Sequence, residues 1–218
     1  MEKFRVITFI ILLIYNSFQA QNDKTFIPTK GEIVFKEITK ITDKKLFDES
    51  IKISKEKYKT SMKNSLLKEE QNKGKEKQVE EMVNTSASMM DLFYIEDSTQ
   101  IHQYNLEEIN SPSFSNNIIL KIFEDKKRKE MINGYSCFKV YYEFQENKDN
   151  ADEDYIEYAG DVVFAREMWV TEEIKLLQHP LIYEKTILEK YYPLKIIETQ
   201  SNINGFKRTF KLDKISLQ

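Results

Sequence analysis

The side chains with the widest chemical repertoire are few. The chain of 218 residues has one cysteine, Cys137, and two histidines, His102 and His179. A nucleophilic cysteine needs a neighbouring base and a lowered pKa, and no motif ties either histidine to Cys137. On an apolar strand a lone thiol reads first as a small buried group. An intermolecular disulfide in an oxidising compartment is the second reading, and a catalytic thiol is the third. The spacings His-x-x-x-His and Cys-x-x-Cys do not occur, so no dedicated zinc site is expected. A site assembled from His102, His179 and a carboxylate is the remaining way to hold such a metal. The acids Asp149, Asp152, Glu153, Asp154, Glu157 and Asp161 invite a calcium-loop reading. Counted from Asn150, however, the sharp-bend position that needs glycine holds Tyr155. The run is expected to be a solvated hairpin tip. Glycine-rich phosphate loops, Gly-x-Ser-x-Gly, and Ser-x-x-Lys with its partner motifs are also missing. No catalytic residue, metal ligand or cofactor is assigned.

What remains is apolar binding chemistry. The sequence holds 14 Phe, 12 Tyr and one Trp. Phe138, Val140, Tyr142, Phe144, Phe164 and Trp169, with Phe206 and Phe210 further on, can line a concave groove. Tyr58, Met62 and Leu66 can close it from a helix. A lipid, an apolar peptide or an envelope protein would suit such a surface. Plain core packing is the competing role for the same side chains.

The elements that must position these residues follow from periodicity. Residues 31–38 read as a first strand, rich in β-branched and aromatic types. From 43 to about 70, Phe47, Ile51, Tyr58, Met62 and Leu66 fall at helical spacing behind an Asp43 N-cap. Gly74 interrupts, and Val79, Met82 and Val83 give a second short helix ending near Asn84. The lysines and glutamates between them read as a solvated face rather than a membrane-binding one. Residues 89–96 and 99–105 read as a hairpin, 117–123 as a short strand, and 124–130 as a charged turn. Asn133-Gly134 is a turn dipeptide. Phe138 to Phe144 then alternate apolar and polar, and 161–170 form a second strong strand that pairs with them. Pro193 marks a bulge or edge, and Asn204-Gly205 a last hairpin turn. About eight strands without βαβ alternation make an α+β chain with a curved antiparallel sheet. The helical insertion at 43–84 is expected to form its lid.

Lys+Arg 33 against Asp+Glu 36 excludes a general basic field for nucleic acid. Residues 1–20 have the basic start, short apolar core and small final residue of a cleavable signal peptide. A leader at 21–30 and one domain at 31–218 would follow. No cysteine follows the apolar run, so a lipoprotein is not expected, and no later stretch is apolar enough to span a membrane. The expected location is periplasmic or secreted.

Four segments carry a resemblance. They are residues 31–35 (Gly-Glu-Ile-Val-Phe), 132–139 (Ile-Asn-Gly-Tyr-Ser-Cys-Phe-Lys), 167–174 (Glu-Met-Trp-Val-Thr-Glu-Glu-Ile) and 192–196 (Tyr-Pro-Leu-Lys-Ile). In this order the chain resembles the GLPGLI family of exported Bacteroidetes proteins and its relatives. It departs from their signature, carrying Gln178-His179-Pro180-Leu181-Ile182 in its place. The resemblance implies a location in the cell envelope and a half-barrel sheet with helices akin to LolA-type lipoprotein carriers; it transfers no catalytic residue. The expected function is non-enzymatic binding of a hydrophobic ligand or a protein partner. A carboxylate-based hydrolase and an envelope assembly factor are the alternatives.

Overall fold

Apolar–polar alternation builds one seven-stranded antiparallel sheet, in the order β2-β1-β7-β6-β5-β4-β3. The structure, a computed structural model, describes residues 28–94, 98–108, 113–150 and 161–218. The expected signal peptide and most of the acidic tip lie outside the described residues. The strands are β1 (Gly31–Ile41), β2 (Thr99–Asn105), β3 (Ile118–Ile132), β4 (Tyr135–Gln145), β5 (Phe164–Thr171), β6 (Tyr192–Gln200) and β7 (Ile203–Leu217). Every pairing is antiparallel. The helices are α1 (Lys44–Lys68), α2 (Glu76–Met89) and the single turn α3 (Lys185–Leu188).

The β3–β4 hairpin turns where expected. Asn133 and Gly134 have φ of 48° and 87°, the left-handed pair that a two-residue hairpin requires. In β4, Phe138, Val140, Tyr142 and Phe144 are all buried. Their β5 neighbours are Val170, Met168, Arg166 and Phe164. The segment between β5 and β6 lays Ile174, Ile182, Ile187, Leu188 and Tyr191 over this face in one continuous cluster. His179 pins that segment. Its Nδ1 accepts from the Leu181 and Ile182 amides at 3.0 and 3.1 Å, and Nε2–H donates to the Pro193 carbonyl at 3.0 Å. Burial pushes its pKa down to about 3 against the pull of the Pro193 carbonyl, so the ring is neutral.

The helical insertion packs elsewhere on the sheet. α1 begins at Asp43, whose carboxylate caps the Leu46 amide at 3.0 Å. Phe47 and Ile51 bury against Ile203 and Phe206 of β7. Ser50 and Ser54 let the helix approach closely: the Asn204 amide donates to Ser50 Oγ at 3.1 Å, and Asn202 to Ser54 at 3.4 Å. α2 packs on α1, burying Val79, Val83 and Ala87.

Four expectations about elements are corrected. Of the expected strand at 89–96, the described residues 89–94 are not strand: α2 runs on to Met89, and Met90–Phe93 is a 3₁₀ turn. Thr85 and Ser88 hydroxyls bond back to the Glu81 and Asn84 carbonyls at 2.9 Å, which accommodates them within the helix, and burial of Val79, Val83 and Ala87 holds the helical form. β2 pairs with β1, and the strands among the described residues number seven. Residues 124–130 are strand, because exposed charges are at home on the edge strand β3. The turn chemistry survives inside a bulge, where Asp125 Oδ1 accepts from the Lys127 and Arg128 amides. The last hairpin turns at Ser201–Asn202, between Gln200 and Ile203. Gly205 lies within β7 at φ 72°, and its carbonyl accepts from the Thr42 amide at 2.7 Å. A Cβ there would sit 2.3 Å from the Asp43 carbonyl oxygen, so glycine is needed for α1 to dock.

Candidate functional site

Side-chain parity places a charge on the inward-facing series of four strands. Glu37 falls between Phe35 and Thr39, Arg208 between Phe206 and Phe210, Glu198 after Leu194 and Ile196, and Arg166 between Phe164 and Met168. Register sets Arg208 opposite Glu198, Glu198 opposite Arg166 and Arg166 opposite Tyr142, and Glu37 and His102 extend the line on diagonals, so that it crosses six adjacent strands. From the β2 edge, His102 Nε2 donates to Glu37 Oε2 at 2.6 Å. Arg208 Nε donates to Glu37 Oε1 at 2.8 Å, and its Nη1 lies 3.5 Å from Glu198 Oε1. Arg166 Nε donates to the other Glu198 oxygen at 2.7 Å. Arg166 Nη1 donates to the Tyr142 hydroxyl at 2.7 Å and to Glu184 Oε2 at 3.2 Å. The Tyr142 hydroxyl donates in turn to Glu184 at 3.1 Å, and Asn117 Nδ2 donates to the other Glu184 oxygen at 2.9 Å.

The signs alternate along this ladder, and each buried charge is paired, as burial demands. Burial pushes the Glu37 carboxyl up, but bonds and charges from Arg208 and then His102 outweigh it and hold it below the usual carboxylate range. For Arg166, burial pulls the pKa down, while Tyr142, Glu198 and Glu184 raise it further. The guanidinium is therefore permanently charged. Two carboxylates, Glu37 and Glu198, do converge on one point, the Arg208 guanidinium. A hydrolytic pair needs one acid and one base with pKa values pushed apart. Here a cation lies between the two, and Glu37 is held ionised, which does not supply the acid.

The ladder opens to solvent at Arg208, 43 % exposed on its side chain. Glu198, Thr199, Gln200, Phe206 and Arg208 with Tyr94 line a small cleft of about 230 Å³ there. Gln200 Nε2 donates to the Tyr94 hydroxyl at 2.7 Å. On the other side of Tyr94 lies a larger groove of about 510 Å³, with Ile41, Phe47 and Ile51 on its floor. Its rim carries Lys44, Lys52 and Lys55 against Asp48, Glu56 and Asp91, so the charges balance. Phe47, Tyr94 and Phe206 form an aromatic triangle, with centroids 5.2 to 6.2 Å apart, that separates cleft from groove.

The residues expected to bind a ligand separate into three groups. Phe138, Val140, Tyr142, Phe144 and Phe164 do come together, in the main cluster. Tyr142 is also the hydroxyl end of the ladder. Trp169 lies on the opposite face, between Lys139 and Lys195 in register, with the Lys195 ammonium 4.2 Å from its ring centroid. Tyr58, Met62 and Leu66 are half-buried on α1 and belong to neither apolar cluster. The groove-lining Ile41, Phe47, Ile51 and Tyr94 were not among the expected residues. Ile51 and Phe47 carried the same helical spacing about two and three turns before Tyr58 and gave the signal.

Cys137 is a buried free thiol. Burial first, then Glu173 and Glu130, push its pKa up to about 12, which removes it as a nucleophile at neutral pH. Among the described residues no three His, Cys, Asp or Glu side chains are placed to hold a metal ion, and no helix is long and apolar enough to cross a membrane. Compared with protein-family models, curated proteins and solved structures, the chain finds no match in any of the three.

Proposed function

We propose that the protein is an exported, non-enzymatic component of the cell envelope that holds a hydrophobic ligand, or an apolar segment of a protein partner, between sheet and helices. The observation that carries this reading is the groove of about 510 Å³ floored by Ile41, Phe47, Ile51 and Tyr94. Its volume is in the range of small-molecule sites, roughly 300–1,000 Å³. In this reading the helical insertion acts as the lid, over the β6–β7 end of the sheet. The chain is then a divergent relative of the GLPGLI family, and its antiparallel sheet with helices inserted after the first strand is the half-barrel and cover of LolA-like carriers.

Titration of the purified protein with an environment-sensitive apolar fluorophore tests the reading. The expected result is saturable binding, displaced by a long-chain fatty acid and weakened at least about tenfold in Tyr94→Ala, the loss of a buried aromatic contact. Binding that never saturates, or that is unchanged by Tyr94→Ala, contradicts it.

A further inference from the structure

The outer face of the same sheet carries a pattern that neither the ladder nor the groove uses. Lys36 of β1 lies directly opposite Lys211 of β7, and Lys211 directly opposite Lys195 of β6. Four residues along, Lys40 of β1 is opposite Lys207 of β7. Like charges directly opposite one another on a sheet face destabilise it. Lys195 is relieved by Glu130, at 3.2 Å. Among the described residues Lys36, Lys40, Lys207 and Lys211 form no ion pair. Between the two lysine rows runs Ile38, opposite Thr209, which is opposite Ile197. On the β2 edge Ile101 stands beside Lys36. Ile38 is 37 % exposed and Ile101 59 %.

We infer that this face of β2–β1–β7–β6 docks on an anionic lipid bilayer. Unpaired lysines repeated at strand spacing, about 4.8 Å, match a plane of anionic headgroups. Each lysine near such a surface gains electrostatic attraction that falls off within a Debye length. The isoleucines decide between a bilayer and a soluble polyanion. Apolar side chains set among lysines gain from the boundary between headgroups and acyl chains, whereas a polyanion in water gives them nothing. The inference does not depend on the groove: the two surfaces share no residue and come together only at the end of β1, where Ile41 follows Lys40.

Co-sedimentation with vesicles tests it, using the purified protein as its producing cell processes it. The probes are vesicles of about one-third phosphatidylglycerol in phosphatidylcholine, and phosphatidylcholine alone. Binding is expected only to the anionic vesicles, and to fall as salt rises from about 0.1 to about 0.5 M. Lys36→Thr with Lys211→Thr is expected to weaken the partition coefficient about 25-fold, at roughly fivefold per lysine. A control with the same change in net charge on the helices, Lys68→Thr with Lys77→Thr, should keep affinity within about twofold, because those residues lie off the docking face. Equal loss in both variants, no loss in the first, or binding to soluble polyphosphate but not to vesicles would overturn the inference. Apolar-probe binding is measured on the same samples, so failure of the groove reading and failure of the docking face are seen separately.

Discussion

The two faces of this sheet treat charge in opposite ways. On the inner face, register sets Glu37, Arg208, Glu198 and Arg166 on successive strands so that opposite signs meet. On the outer face, the same three central strands set Lys36, Lys211 and Lys195 side by side. Of the inner charges, Glu37, Glu198 and Arg166 are largely buried, and each would be costly unpaired, so alternation is what folding requires. Of the outer charges, Lys36 and Lys211 are exposed and Lys195 is half-buried beside Glu130, and solvent tolerates the repetition at a small cost. The comparison separates architecture from surface. A satisfied ladder positions strands, and an unsatisfied row of cations is available to something outside the molecule.

The most severe way to break the inner pattern is Arg166→Met. It leaves Glu184 buried without a cation and Glu198 with Arg208 alone, and is expected to cost about 3–5 kcal/mol in urea unfolding. Neutralising both glutamates to Gln in the same chain should recover part of that loss, because the uncompensated charge rather than the missing contact dominates.

Glu37→Gln is milder, about 2–3 kcal/mol at pH 7 from two charge-assisted bonds. Its folded carboxyl titrates below 4.5, so the stability it contributes is present above that pH and is lost as pH falls through the folded value. The difference between wild type and Glu37→Gln should therefore close in acid, and denaturant titrations from pH 7 to 3 would show it.

His179 gives a separate acid dependence in a higher window. Its folded pKa of about 3 lies below an unfolded value of roughly 6.5. The unfolded chain binds the proton first, so stability should fall by about 1.4 kcal/mol per pH unit below pH 6.5, or about 2 kcal/mol by pH 5. His179→Gln should flatten that slope whatever its own stability at neutral pH. The smallest effect lies on the outer face. Lys211→Thr removes two like-charge pairs and should raise stability by about 0.2–1 kcal/mol.

Within one strand, much of this was legible. Phe138 to Phe144 alternate so cleanly that β4 and its buried face follow from period two. Asp43, Gly74 and Asn133-Gly134 mark their cap, break and turn for local reasons. The ladder was half legible: Glu37, Arg166, Glu198 and Arg208 each interrupt an inward-facing apolar series, a sign of paired burial that the pattern alone can give. Their pairing was not, because it depends on which strands are neighbours. The lysine rows were hidden for the same reason, since Lys36 and Lys211 are far apart in the chain and meet only through register. The position of α1 turned on Gly205, which reads as a hairpin glycine until its close approach to Asp43 is seen. Residues 124–130 and 89–94 were misread because edge exposure and the packing of α2 on α1 overrode local composition.

The central claim is that the outer lysines serve a ligand at the expense of the fold, and one variant tests it. In Lys36→Thr with Lys211→Thr, unfolding free energy and affinity for anionic vesicles are measured on the same preparation. Stability should rise by about 0.2–1 kcal/mol, from the removal of the Lys36–Lys211 and Lys211–Lys195 like-charge pairs, while vesicle binding falls. A variant that loses stability, or that gains stability and binds vesicles as before, would contradict the account.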